Sequence, residues 1–318
     1  MVHRPRSITE LEAGAVQNPP TADCCAPAPA VIEFDRQGRV VQAWGGPRWD
    51  QASAAWVEPE DPWPSMEHGI FVDAEGNVWL AGNGENTPTD HIVVKLSSTG
   101  ERLLTIGVPG ETGGSNDVER LGRPADVYVD TAAREVFVAD GYGNRRVIVF
   151  DADTGAYKRH WGAYGRTPND EPNAPYSPSA SPARNYTGPV HAVVRSADGL
   201  LYVADRTSNR IQVFRPSGEY VTEGVIAPWT LSQGSVWDIE IGPGEGQPWL
   251  FVADGHNKKM WIVDRASLEV KGSFGRGGRQ AGQFEWLHNV AADSAGNLYT
   301  AEVNTGKRVQ RFLRVAPE

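Results

Sequence analysis

HAVVRSADGLLYVADR, residues 191–206, consists of an alternating apolar run, a Ser-Ala-Asp-Gly turn and a second apolar run ending in Ala-Asp. Apolar residues at every second position mark a strand with one buried face, and the Asp-Gly pair marks the turn of a hairpin. The unit recurs as HGIFVDAEGNVWLAGNG at 68–84 and HNVAADSAGNLYTAEV at 288–303. Two related units lie between these, ADVYVDTAAREVFVADGYGNRR at 125–146 and WDIEIGPGEGQPWLFVADGHNKK at 237–259. His68, His191 and His288 therefore lead every second repeat, while Ala125 and Trp237 lead the others. A purely structural repeat does not require that alternation.

Each hairpin is followed by a polar loop and a third strand, read at Arg146-VIVF, Arg210-IQVF and Val309-QRF, then by a turn such as Thr154-Gly155 or Ser217-Gly218 and a last strand toward Trp161-Gly162. Four short strands per unit predict a propeller blade. Counting Val31-IEFDRQGRVVQAWGG as the outer half of a first blade gives an all-β, six-bladed β-propeller whose first blade is incomplete at the N-terminus. The whole chain, 1–318, reads as one domain, with 1–30 an irregular segment of that incomplete blade. Its missing inner pair suggests a late gene start, a clipped chain or a partly open ring. A missing half-blade would also hide any export signal, so the chain assigns no compartment and is expected to be soluble as written. The proline-rich stretch 166–189 is the longest insert, and such inserts often cover a binding site.

Composition narrows the classes. With 35 Gly and 23 Pro the chain is built for turns, and 40 acidic against 30 basic residues offer no footprint for nucleic acid. No apolar run approaches the roughly 18 residues that span a bilayer, and nothing near Met1 reads as a signal peptide. Neither nucleic acid nor membrane is an expected partner. Cys24 and Cys25 are adjacent, the only cysteines, and cannot form an ordinary unstrained disulfide. They read as two thiols on a proline-flanked loop, with a soft-metal or redox role as the alternative.

In a blade the innermost strand starts beside the end of its antiparallel neighbour, so both positions open on one face. The three histidines start innermost strands. Tyr142, Arg206 and His256 follow the ends of second strands, and Arg4 aligns with Arg206 in the broken first blade. Three imidazoles around the axis offer nitrogen donors with a coordination position left open, a geometry that suits zinc, with nickel, copper or iron also compatible. The plainer reading has each histidine fill the channel and bond a backbone carbonyl. A phenol beside a cation and a guanidinium serves as a base because positive charge favours phenolate. Tyr142 is the candidate, unless it merely packs; Arg206 could otherwise pair with Asp205 or Asp140. Asp140, Asp205 and Asp254 recur in Val-Ala-Asp and read as structural acceptors for loop amides. His3, His91 and His160 lack the leading position, and His256 is a candidate outer donor.

These repeats resemble the NHL family of propellers. Across residues 3–315 the order of motifs is similar to that of the peptidyl-α-hydroxyglycine α-amidating lyases. The carrying motifs are His68-Gly69; Pro124-Ala125-Asp126-Val127 with Asp140-Gly141-Tyr142-Gly143-Asn144-Arg145-Arg146; His191 with Ala204-Asp205-Arg206; and His288. The resemblance implies that His68, His191 and His288 bind zinc, that Tyr142 is the catalytic base, and that Arg206 and Arg4 hold substrate. Asn289 stands where that family usually carries an aspartate ligand to structural calcium, which argues against calcium. Trp286-Leu287 replaces a methionine in the pocket wall, and Gly143 stands at a disulfide cysteine of animal members. The copper monooxygenase domain that supplies the family's hydroxyglycine is not expected here, so the natural substrate differs or comes from elsewhere.

The sequence therefore predicts a metal-dependent lyase that cleaves the C–N bond of a small or peptide-like carbinolamide-type substrate. A metal-assisted hydrolase or lactonase is the enzymatic alternative, and a non-catalytic NHL-repeat binding scaffold is the other.

Overall fold

The computed structural model describes residues 27–315, together with Met1, Pro5, Gly14, Gln17 and Pro19 ahead of them. His3, Arg4, Cys24 and Cys25 lie outside the described residues. The architecture is an all-β propeller. Four sheets have four antiparallel strands each: β5 (Glu67–Val72), β6 (Val78–Gly82), β7 (Ile92–Leu96) and β8 (Arg102–Ile106); β9 (Asp126–Asp130), β10 (Glu135–Asp140), β11 (Arg146–Asp151) and β12 (Tyr157–Trp161); β13 (Val190–Arg195), β14 (Leu201–Asp205), β15 (Arg210–Phe214) and β16 (Tyr220–Val225); β17 (Asp238–Ile241), β18 (Trp249–Asp254), β19 (Lys259–Asp264) and β20 (Val270–Phe274). A fifth has three, β21 (Leu287–Ala292), β22 (Leu298–Glu302) and β23 (Val309–Phe312).

The structure forms five blades, not the six expected. The segment counted as a first blade is only a two-stranded sheet, β1 (Val31–Phe34) with β2 (Val40–Trp44), and β3 (Arg48–Asp50) pairs separately with β4 (Ala55–Val57). A blade needs apolar surface on both faces to be clamped by its neighbours, and here only Val31 and Ile32 are buried while β2 is largely exposed. The far edge of β1 carries one described rung, where Met1 accepts the Ile32 N–H at 2.9 Å and donates its amine to the Ile32 carbonyl at 2.9 Å.

The complete blades pack face to face. Tyr202, Ile211 and Val213 of the third meet Ile239, Leu250 and Val252 of the fourth, and Trp79 and Val93 of the first meet Val127, Val129 and Val138 of the second. Middle strands are therefore buried on both sides, which is why β10 and β14 read as almost continuous apolar runs. The recurring aspartates tie each blade to its loops. Asp140 accepts the Gly122 N–H at 2.8 Å and ion-pairs with buried Arg146 at 2.9 Å; Asp205 pairs likewise with Arg210 at 2.9 Å; Asp254 accepts from Asn257 and from the Trp261 indole.

Asp126, Asp238 and Glu240 lie on the innermost strands β9 and β17. Burial, with added repulsion from Asp238 and Asp126, raises Glu240 to about 8. Burial also raises Asp126, where the Asp238 charge adds, and raises Asp238 against the opposing N–H groups of Val290 and Ile239. Unfolded carboxyls titrate at about 4. At these three groups the folded chain therefore keeps protons that the unfolded chain has released, and their contribution to stability is fully present below pH about 4 and is lost as pH climbs toward about 8. The urea midpoint is expected to be lower at pH 9 than at pH 5, with Glu240→Gln flattening that difference; a midpoint rising with pH would contradict the assignment.

Candidate metal centre

The register of the inner strands separates the histidine blades from the others. In β13–β14 the pairing runs Val190 with Asp205, then Ala192 with Ala204, so His191 is an extra residue without a partner in the ladder. In β21–β22 it runs Leu287 with Glu302, then Asn289 with Ala301, which leaves His288 extra. In β5–β6 the shift falls between Glu67 and Ile70 and takes in His68. The pairings of β9 with β10 and β17 with β18 show no such shift. A bulge turns a side chain out of strand alternation, and here it occurs at each histidine.

The three imidazoles converge, with a ring nitrogen of each within 4.8 Å of the others. Ring centroids stand 4.8 to 5.0 Å apart, edge to face. His191 and His288 are buried and His68 is partly so. His68 Nδ1 lies 2.6 Å from the Ala125 carbonyl, and His191 Nδ1 bonds the Trp237 carbonyl. A carbonyl only accepts, so Nδ1 is the donor in both rings and Nε2 presents its lone pair inward. His288 Nδ1 lies 2.6 Å from the Asn289 side-chain oxygen, whose amide nitrogen faces Asp238 at 3.4 Å, which sets the same tautomer. The residues leading the intervening repeats thus orient the histidine of the preceding blade. Gly69 makes room for this: a Cβ there would lie 2.6 Å from the Ala125 oxygen.

Three imidazoles with Nδ1 on oxygen acceptors, each offering Nε2 in its neutral form, are the donor set of a borderline transition-metal ion, with orienting groups already in place. Neutrality has a physical cause at His191. Burial, then the charges of Arg206, His68 and His288, hold its pKa well below the usual imidazole value. Asn289 is committed to His288 and Asp238, so it orients a candidate ligand at the position where calcium was considered.

Tyr142 reaches the cluster from the end of β10. Its hydroxyl oxygen is 3.1 Å from His68 Nε2, 3.1 Å from His191 Nε2 and 3.1 Å from Arg206 Nη1. One phenolic proton serves only one imidazole lone pair at a time, while the guanidinium donates to the same oxygen. Gly141 lets Tyr142 lie against the next blade, since a Cβ there would stand 2.1 Å from the Val190 oxygen. Arg206 opens a 3-10 turn, Arg206–Ser208, directly after β14. Its guanidinium lies 4.4 Å from the Trp237 ring centre and donates to Gln233 at 3.0 Å, while its buried Nε has no partner among the described residues.

The structure thus brings together His68, His191, His288, Tyr142 and Arg206. Arg4 lies outside the described residues. His256 is exposed, His160 bonds Tyr157 at 2.9 Å, and His91 is buried immediately before β7, where its backbone N–H donates to the Gly82 carbonyl. Sequence reading missed the orienting roles of the Ala125 and Trp237 carbonyls, Asn289 and Gln233. Backbone carbonyls leave no residue-type signal, although the recurrence of a leading position in the intervening repeats pointed to the right place.

No family profile matches the chain. Peptidyl-glycine alpha-amidating monooxygenase B of Xenopus laevis is 26% identical over 250 residues, 75% of this chain. Peptidyl-alpha-hydroxyglycine alpha-amidating lyase 2 of Drosophila melanogaster is 25% identical over 255 residues, 78% of this chain and 55% of that protein. Human NHL repeat-containing protein 3 is 30% identical over 204 residues, 61% of this chain and 47% of that protein. The chain is thus similar to amidating-lyase proteins and to an NHL-repeat protein. It spans 25% of the length of the Xenopus protein, so one portion of that larger protein is matched. A streptogramin B lyase structure superposes with TM-score 0.52 at 14% identity, covering 93% of this chain and 86% of that one, a likeness of fold alone. Among the described residues no helix is long and apolar enough to cross a membrane.

Proposed function

We propose that this amidating-lyase relative is a metal-dependent carbon–nitrogen lyase acting on an N-acyl α-hydroxyglycine or a similar carbinolamide. The supporting observation is the placement of the Tyr142 hydroxyl, 3.1 Å from two candidate ligand nitrogens and from Arg206. His68, His191 and His288 would hold the ion, zinc on the donor set, and the ion would supply Lewis-acid polarisation of the carbinol oxygen. Arg206 binds the substrate carboxylate through its guanidinium edge, including the orphaned Nε, with Arg4 as the second arginine implied by the resemblance. Tyr142 accepts the carbinol proton. As the O–H electrons form the carbonyl, the C–N bond breaks, and Tyr142 returns the proton to the departing nitrogen. Amide and glyoxylate account for every atom of the substrate, and no water is consumed.

The test is product analysis on zinc-loaded protein. With α-hydroxyhippurate, glyoxylate and benzamide are expected in equal amounts well above the spontaneous rate. Opening of a lactone with no glyoxylate release would favour the hydrolase instead. Less than about a tenth of an equivalent of any transition metal after zinc loading would favour the binding scaffold.

A further inference from the structure

Arg123 stands at the same mouth and has no part in the roles above. Its backbone takes φ of 60°, in the left-handed region, although it bears a side chain and precedes Pro124. Both facts disfavour that conformation, the first through the Cβ and the second through the proline ring. Such cost persists where the surroundings over-determine it, and it clusters at functional sites. Here the Arg123 carbonyl accepts the Tyr142 N–H at 3.2 Å, and the Arg123 guanidinium lies 5.5 Å from the Tyr142 ring centre. Arg206 lies 5.6 Å from that same centre. Two guanidiniums thus attend one phenol.

The engagements of Arg123 are few and exchangeable. Its Nε donates to the Asn83 carbonyl at 3.0 Å, which fixes the plane of the fork. Nη1 faces the Glu85 carboxylate at 3.3 Å, and that glutamate side chain is 67% exposed. An exposed pair of this kind contributes little to stability. It shows instead which chemistry the fork accepts, a carboxylate approaching from solvent. We propose that Arg123 is a further anchor for the substrate carboxylate beside Arg206, with Glu85 occupying its fork until an α-substituted acid arrives. The inference rests on the lyase reading for the identity of that acid, while the anchoring itself requires only a carboxylate ligand.

The experiment uses zinc-loaded protein and two unreactive probes, hippurate and its carboxamide, with dissociation constants measured by calorimetry. Wild type is expected to prefer hippurate by about tenfold or more, as a charge-assisted fork implies. Arg123→Gln should reduce that preference severalfold by weakening hippurate alone, Arg206 retaining the remainder, and Glu85→Gln should tighten hippurate by removing its competitor. Arg123→Gly suits the positive φ, so it removes the guanidinium without backbone strain and guards against misfolding of the glutamine variant. An unchanged preference in both Arg123 variants, or no preference in wild type, overturns the proposal. Failure to release glyoxylate from α-hydroxyhippurate, with an Arg123-dependent preference intact, sinks the lyase reading and leaves the anchor. Glyoxylate release with KM unaltered in Arg123→Gly does the reverse.

Discussion

His191→Ala is expected to lower bound zinc from about one equivalent to less than about a tenth and to reduce kcat/KM on the order of a thousandfold or more, while the propeller stays folded. The imidazole is 2% exposed and is one of three donors, so its loss leaves two nitrogens and no closed set. The structural cost is limited to a small axial void and the loss of one partner for the Trp237 carbonyl, about 1–3 kcal/mol. Blade packing, which holds the fold, rests on apolar clusters to which His191 does not belong. Metal content, circular dichroism and turnover measured on one preparation separate the effects. His256→Ala is the matched control, because that ring is exposed, and it should change nothing. Turnover that survives loss of His191 would refute the metal mechanism outright.

Tyr142→Phe should do the complementary thing. It keeps the ring that packs beside His68 and His191 and deletes only the oxygen. Zinc stoichiometry is expected to stay at its wild-type value, since the histidine Nδ1 atoms keep their acceptors. Turnover should fall about 10²- to 10⁴-fold, the usual contribution of a positioned proton acceptor. Binding of an unreactive carboxylate should change little, because Arg206 remains in place on Trp237 and Gln233. A loss of only severalfold would mean that another group moves the proton. Loss of zinc together with activity would mean that the hydroxyl supports the ion instead of the substrate.

The two variants probe features with different legibility. The histidine positions were visible because the repeat length marks equivalent places, and an imidazole in alternate equivalents is a pattern no single motif carries. Tyr142 and Arg206 were visible for the same reason, through their common place after Val-Ala-Asp. The blade number was overcounted. Val31 to Trp44 has the right alternation for two strands, but alternation cannot report whether inner neighbours exist to bury them, and β2 is largely exposed in the structure. Arg123 carries no such mark, since it lies one residue before the Pro-Ala-Asp-Val motif and nothing in residue type announces a left-handed backbone at an arginine.

The amino-acid sequence by itself determined the all-β repeat and the hairpins that build it, and it set His68, His191, His288, Tyr142 and Arg206 at equivalent places in those repeats, because period-two burial and glycine turns are local properties of the chain. Whether the rings could meet was decided only by tertiary structure. The bulges at His68, His191 and His288 and the carbonyls of Ala125 and Trp237 that fix two of the tautomers arise between strands and between blades, across separations of 46 and 57 residues. A bulge is a mismatch between two strands, and a hydrogen bond from the next blade exists only once the inner strands are packed around the axis. Neither can be written into any one segment.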